Sequence, residues 1–287
     1  MNNIVYLNGS LLPRNQASIS VLDYGFLYGY GLFETMRAYN GQVFRLDRHL
    51  ERLSHSAVTL GFTISVADLR GAVKGTIQAN KLSSARIRAT VSIGEGRMVP
   101  DPRSCDEPTV LVMAEPYQPY PPPVYHKGFK AIISTIRRNS QSPLSQIKSS
   151  CYLENLLARQ QARAAGADEA ILLNEKGILT EASTSNIFLV TGGLLRTPAR
   201  DSGILPGITR EAILEMAPQM GIDTVDDNIE LGELYQAEEV FLTNSIMEIM
   251  PFTEIDGKAI GSGRPGPLTR RLMTAYTELV AVETGKH

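Results

Sequence analysis

Cysteine is scarce: only Cys105 and Cys151 occur in 287 residues, too few for a disulfide framework. The four histidines, His49, His55, His126 and His287, fall at no metal-ligand spacing, so neither a metal site nor a Cys/His nucleophile pair is expected. No apolar run approaches the roughly 18–20 residues that cross a bilayer. The start, Met1 to Leu12, lacks the basic and apolar regions of a secretory leader. The expectation is a cytoplasmic protein without a membrane partner. Neither sign of charge dominates, because 28 basic and 30 acidic residues give −2. That balance lacks the basic surplus that neutralises a row of phosphates, so nucleic acid is not an expected partner. With 20% charged and 43% apolar residues, disorder and coiled coil both fit poorly. A compact chain of one or two domains remains.

Short β-branched or aromatic runs flank Asn8-Gly9, Asn40-Gly41 and Asp256-Gly257. Each pair suits a type I′ hairpin, whose positive φ angles Asn, Asp and Gly tolerate. Between the strands, Leu46, Leu50, Leu53, Ala57 and Leu60 form one apolar helical stripe. Further helices are predicted over residues 152–165, from about Gly207 and from about Leu268. Hairpins mixed with helices predict an α/β (α+β) chain with antiparallel-rich sheets and flanking helices. Residues 115–124 hold five prolines, which predicts an extended connector. The expected division is a small domain over 1–114, a connector over 115–123 and a larger domain over 124–287.

Gly261-Ser-Gly263-Arg-Pro-Gly266 matches GxGxxG literally, but only 21 residues follow it, too few to complete a βαβ unit. A Gly/Pro-rich loop before the last helix is the expected reading. Lys148 precedes a helix start and stands 33 residues before Glu181, which ends a strand-like run. Taken alone it is an ordinary lysine. Leu205-Pro-Gly207-Ile208-Thr209-Arg210 is a Gly-led helix N-terminus, able to hold a phosphate or to be a cap with no ligand. In the strand around Arg86-Ile-Arg88 a period of two puts both arginines on one face. They can clamp a carboxylate such as that of glutamate or 2-oxoglutarate, or stand exposed on an edge strand.

These segments, with Tyr28-Gly-Tyr-Gly-Leu-Phe-Glu-Thr-Met-Arg37 and Ser185-Asn-Ile-Phe-Leu-Val190, closely resemble the class IV (fold-type IV) pyridoxal-phosphate enzymes. That family comprises branched-chain aminotransferases, D-amino-acid aminotransferases and aminodeoxychorismate lyase, and the resemblance runs nearly the whole chain. It implies a two-domain fold, pyridoxal 5′-phosphate as cofactor, and a homodimer or larger homo-oligomer. Lys148 matches the Schiff-base lysine that carries the catalytic proton, which asks for an amine freed of its charge. Glu181 matches the glutamate facing the pyridine nitrogen, Gly207, Ile208 and Thr209 the phosphate cup, and Arg52 the phosphate arginine of a His-x-x-Arg-Leu helix. Tyr152 matches a transaminase tyrosine near the cofactor's phenolic oxygen. Asn186 is expected to be structural, and Cys151 to be a small buried residue.

The substrate segments point two ways. Thr35 and Asn244 match the lyase, whereas Ser245 and Ile246 fall where backbone amides of the branched-chain enzymes meet the substrate carboxylate; Ser245 is also expected near the cofactor. Tyr28, Tyr30 and Phe33 are expected as an aromatic pocket wall, with Arg86 and Arg88 on the substrate. The leading expectation is a ping-pong transaminase moving an amino group from a branched-chain or other apolar amino acid to 2-oxoglutarate. The alternatives are a lyase making 4-aminobenzoate and pyruvate from aminodeoxychorismate, and a D-amino-acid transaminase.

Overall fold

The computed structural model describes residues 3–285. They form two compact units. The first takes in residues up to Gln118, the short segment Ile147–Cys151 and the chain's end from Ala281; the second takes in Pro119–Gln146 and Tyr152–Val280. Lys148 therefore belongs to the first unit, not to the later domain expected from the proline-rich boundary. The backbone gives the reason: Phe33 N–H donates to Lys148 O at 2.9 Å and Ser150 N–H to Gly31 O at 2.8 Å.

In the first unit, β1 (Ile4–Leu7), β2 (Ser10–Pro13), β3 (Gly31–Tyr39), β4 (Gln42–Val43), β5 (Ala85–Ser92) and β6 (Thr109–Pro116) make one sheet in the order β2-β1-β6-β5-β3-β4. Every pairing is antiparallel. On β5, Ala85, Ile87, Ala89 and Val91 are fully buried, while Arg86, Arg88 and Thr90 alternate onto the other face. The helices α1 (Tyr24–Tyr28), α2 (Leu46–Thr59) and α3 (Val66–Ala79) follow the sheet's apolar demand. Leu50, Leu53 and Ala57 of α2 pack with Leu32 and Val91, and Ala72, Val73 and Ile77 of α3 pack with Met36 and Ile87.

The second unit opens on α4 (Pro122–Lys127). The expected extended connector thus ends in a helical turn, because a proline's fixed φ suits the first turn and its missing N–H is not needed there. Then come β7 (Phe129–Arg138), α5 (Leu153–Ala164), β8 (Glu169–Asn174), β9 (Leu179–Ala182), β10 (Asn186–Thr191) and β11 (Leu194–Pro198). The chain continues through α6 (Ile208–Gln219), β12 (Thr224–Asp227), α7 (Leu231–Gln236), β13 (Glu239–Asn244), β14 (Glu248–Ile255), β15 (Lys258–Ala259) and α8 (Pro267–Glu283). The sheet runs β12-β11-β10-β13-β14-β7-β8-β9, with β15 on β14. Five pairings are antiparallel and three parallel. Its core gathers Ile171, Ile187, Leu189, Leu242, Met250 and Phe252.

All three expected hairpins are present, between β1 and β2, β3 and β4, and β14 and β15. Their turn residues carry positive φ, for example +51° at Asn40 and +77° at Gly41. No helix among the described residues is long and apolar enough to cross a membrane.

Candidate active site

In the first unit, the chain from Ile147 to Cys151 lies along the start of β3, with Leu32 and Ser149 bridged. This puts Lys148 Nζ 4.7 Å from the centroid of the buried Phe33 ring, with the Arg88 guanidinium 3.8 Å from the same centroid. Both cations take the ring's negative face, so Phe33 gathers the expected lysine and one expected substrate arginine. Arg88 is half-buried and its Nε donates to Thr90 Oγ1, whereas Arg86 is exposed. Since β5 lies between β3 and β6, neither arginine stands on an edge strand. Across the ladder Thr35 faces Arg88, and Arg37 faces Arg86.

The aromatic wall is divided. Tyr28 is 43% exposed and meets Tyr24 edge-on, whereas Tyr30 turns its hydroxyl to Leu60 O at 2.6 Å. Cys151 is exposed, contrary to the buried reading, because it follows the Leu32–Ser149 bridge with its Sγ beside Gly29 O at 3.4 Å.

Arg52 lies on α2 and is tied by Nε and Nη2 to the two oxygens of Glu34, at 2.7 and 2.6 Å. His49 Nδ1 meets Glu34 Oε2 at 2.7 Å, and Glu34 is fully buried. Burial alone would raise the Glu34 carboxyl, but the Arg52 charge and the His49 and Arg52 hydrogen bonds outweigh it and hold it at about 2. His49 is pushed below its ordinary value, chiefly by burial. Beyond the helical spacing of His49 and Arg52, no sequence signal pointed to this trio.

In the second unit, Glu181 sits on β9, 5% exposed. Arg138 Nη2 donates to its Oε1, while Asn186 Nδ2 and Leu205 N–H both donate to Oε2 at 3.0 Å. Arg138, at the end of β7, is a partner that sequence reasoning missed. Asn186 has the expected structural part, bracing Glu181 and also Leu205 O at 2.8 Å. Tyr152 donates its hydroxyl to Ser183 O at 3.1 Å, and Asn155 donates to the same oxygen at 2.7 Å. The turn after β13 holds a further departure. Asn244 Oδ1 accepts the N–H groups of Ile246 and Met247 at 2.9 and 2.7 Å, so the carboxylate contact expected of Ile246 would have to displace this bond.

Two Gly-led helix starts can be compared in this unit. At α8, the N-terminus is filled by the chain itself: Glu239 Oε1 accepts Leu268 N–H at 3.0 Å, and Oε2 accepts Thr269 N–H and Oγ1 at 2.7 and 2.6 Å. A Cβ on Gly266 would lie 1.9 Å from Glu239 Cδ, so the glycine exists to admit that carboxylate. The GxGxxG loop leaves no seat for a dinucleotide's phosphates. At α6 the N-cap is Gly207, which brings no side chain to cap the helix, and Thr209 Oγ1 is buried with no hydrogen-bond partner among the described residues. First-turn N–H groups have no partner within a helix, and their dipole end favours an anion. The buried Thr209 hydroxyl beside them suits an oxygen-rich anionic ligand.

The family comparison agrees with this chemistry: residues 31–255 match Amino-transferase class IV. The chain belongs to the class IV aminotransferases. It is 39% identical over 278 residues to a putative branched-chain-amino-acid aminotransferase of Methanocaldococcus jannaschii, covering 96% of each chain. It is also 34% identical to the aminodeoxychorismate lyase of Bacillus subtilis, over 95% of this chain and 93% of that one. A solved branched-chain amino acid aminotransferase from a T.th. strain, bound to pyridoxamine 5′-phosphate, superposes with a TM-score of 0.94 at 31% identity, covering 100% of this chain and 96% of that one. The mixed fold with antiparallel-rich sheets is therefore that of this family, whose cofactor is pyridoxal 5′-phosphate. The residues present fit that group, because the open α6 start with its unpaired Thr209 hydroxyl suits a phosphate and the braced Glu181 carboxylate suits a cationic ring nitrogen.

Proposed function

We propose that this class IV aminotransferase moves an amino group from a branched-chain or other apolar amino acid to 2-oxoglutarate in two half-reactions. The observation that carries the cofactor-dependent reading is the α6 start, where Gly207 brings no capping side chain and the buried Thr209 Oγ1 has no hydrogen-bond partner among the described residues. The apolar donor is supported by the relatives named branched-chain aminotransferases. Arg88 beside Phe33 is the group offered to the distal carboxylate of 2-oxoglutarate.

Pyridoxal phosphate, when bound, supplies an electron sink for the bond to the substrate's α-hydrogen. Lys148 would bond to it and, once the substrate's amine takes its place, its freed Nζ would hold and move the proton. Glu181 would face the ring nitrogen, its orientation fixed by Arg138, Asn186 and the Leu205 amide. Thr209 and the first-turn N–H groups of α6 would hold the phosphate, as would Arg52; Tyr152 and Ser245 are further proposed contacts. We place the enzyme in the cytoplasm as a homodimer or larger homo-oligomer. The exposed Leu153, Leu156 and Leu157 on α5 support self-association.

A second reading is the lyase, favoured by Asn244 holding the Ile246 amide. The two separate by product. If L-leucine changes the visible absorption of the holoenzyme and 2-oxoglutarate reverses it, the transaminase stands. No change with L-leucine or L-glutamate, together with pyruvate released from aminodeoxychorismate, would overturn it; a response confined to D-amino acids would make it a D-amino-acid transaminase.

A further inference from the structure

We propose that Glu34 and His49 are positioning residues for Arg52, fixing the plane of its guanidinium so that it meets a phosphate in one orientation. The proposal rests on Arg52 being a phosphate arginine and adds the two residues that orient it.

An arginine on a helix surface has many rotamers, and ordering it on a ligand costs entropy unless the protein has ordered it beforehand. Here Nε and Nη2 meet the two oxygens of one carboxylate, the planar fork geometry that locks a guanidinium. The carboxylate cannot swing in turn, because it is fully buried on the β3 face that α2 covers and His49 Nδ1 holds Oε2. His49 and Arg52 lie three residues apart on α2, which brings both to one face. Burial keeps His49 below its ordinary value, so at neutral pH it serves as a hydrogen-bonding group without adding charge. Glu34 then balances the charge of Arg52, and what remains for a phosphate is the direction of the guanidinium's donors. A fully buried carboxylate is costly to keep unless something needs it. Nothing else assigned to the first unit uses Glu34.

The test compares pyridoxal phosphate with pyridoxal, which lacks the phosphate, using absorbance of the Lys148 adduct in the full-length protein to obtain both dissociation constants. In Glu34→Gln, affinity for pyridoxal phosphate should fall about tenfold to hundredfold while that for pyridoxal stays unchanged. Equal losses for both would show a general structural defect and overturn the proposal. Should that variant not fold, His49→Phe, which leaves the ion pair but removes the bond fixing it, should still lower the affinity ratio severalfold; an unchanged ratio overturns the proposal. Arg52→Met separates the two levels of argument. If it leaves the ratio untouched, the phosphate role of Arg52 fails, and the positioning proposal fails with it. If it lowers the ratio while Glu34→Gln does not, only the positioning proposal fails.

Discussion

Replacing Gly207 by alanine should disturb two functional groups at once, although Gly207 has an ordinary φ of −72° and no backbone strain to release. The added Cβ would stand 2.0 Å from Asn186 Oδ1, so the amide must retreat by about 1 Å to reach even 3.0 Å. Its Nδ2 currently bonds Glu181 Oε2 at 3.0 Å and Leu205 O at 2.8 Å, and neither bond survives such a shift. Overpacking of this kind costs about 1–3 kcal/mol. Losing a hydrogen bond to a charged group adds about 1.5–3 kcal/mol. The sum is a large share of the roughly 5–15 kcal/mol that holds a domain folded. Urea denaturation of the variant should show the loss as a lower midpoint, and titration with pyridoxal phosphate should show weaker binding. A double-mutant cycle locates the cause. In an Asn186→Ala background, where the obstructing amide is gone, Gly207→Ala should cost less than about 1 kcal/mol. Gly207→Ala within about 0.5 kcal/mol of the parent, or equally harmful in both backgrounds, would refute the steric argument.

Two other outcomes follow from the same geometry. Glu34 titrates at about 2 in the folded chain against 4.5 when unfolded, so its stabilisation is complete above pH 4.5 and lost as pH falls toward 2; that range is worth about 3 kcal/mol. His49, whose folded value lies below its unfolded 6.5, adds a loss that begins as pH falls through 6.5, since the unfolded chain then binds the extra proton. Denaturation midpoints between pH 7 and 3 should fall less steeply in Glu34→Gln, and parallel curves would show that the trio does not govern acid stability. Separately, Glu239→Ala removes the acceptor for Leu268 and Thr269 and should cost about 1–3 kcal/mol in urea denaturation, with a change under about 0.5 kcal/mol counting against its capping role.

The hairpins and α2 were legible because their signals are local. An Asn-Gly or Asp-Gly pair states its own φ angles, and large leucines draw a stripe. By contrast, α3 escaped although Leu69, Ala72, Val73, Thr76 and Ile77 keep strict helical spacing on its buried face. Small Ala72 and hydroxyl-bearing Thr76 weaken the apolar contrast, and Gly71 and Gly75 lower the helix propensity. The parallel pairing of β7 with β14 joins residues more than a hundred positions apart, which no local pattern encodes.

The chemistry divides in the same way. Lys148, Glu181 and Thr209 were named through resemblance to a family, since each is unremarkable by composition or spacing alone. Glu34 and Arg138 went unnamed because an isolated charge in a strand reads as solvent-facing until the fold shows its counter-ion. In the sequence Asn244 is a family marker, and only the turn geometry shows its side chain engaging two backbone amides.

The sealed start of α8 also bears on stoichiometry. Both α6 and α8 start after a glycine, but at α8 a resident carboxylate already meets the first-turn amides. Of these two glycine-led starts, added inorganic phosphate would therefore meet only the one at α6, where anionic inhibitors would compete with it. A lone glutamate thus keeps a duplicated local feature from becoming a duplicated binding capacity.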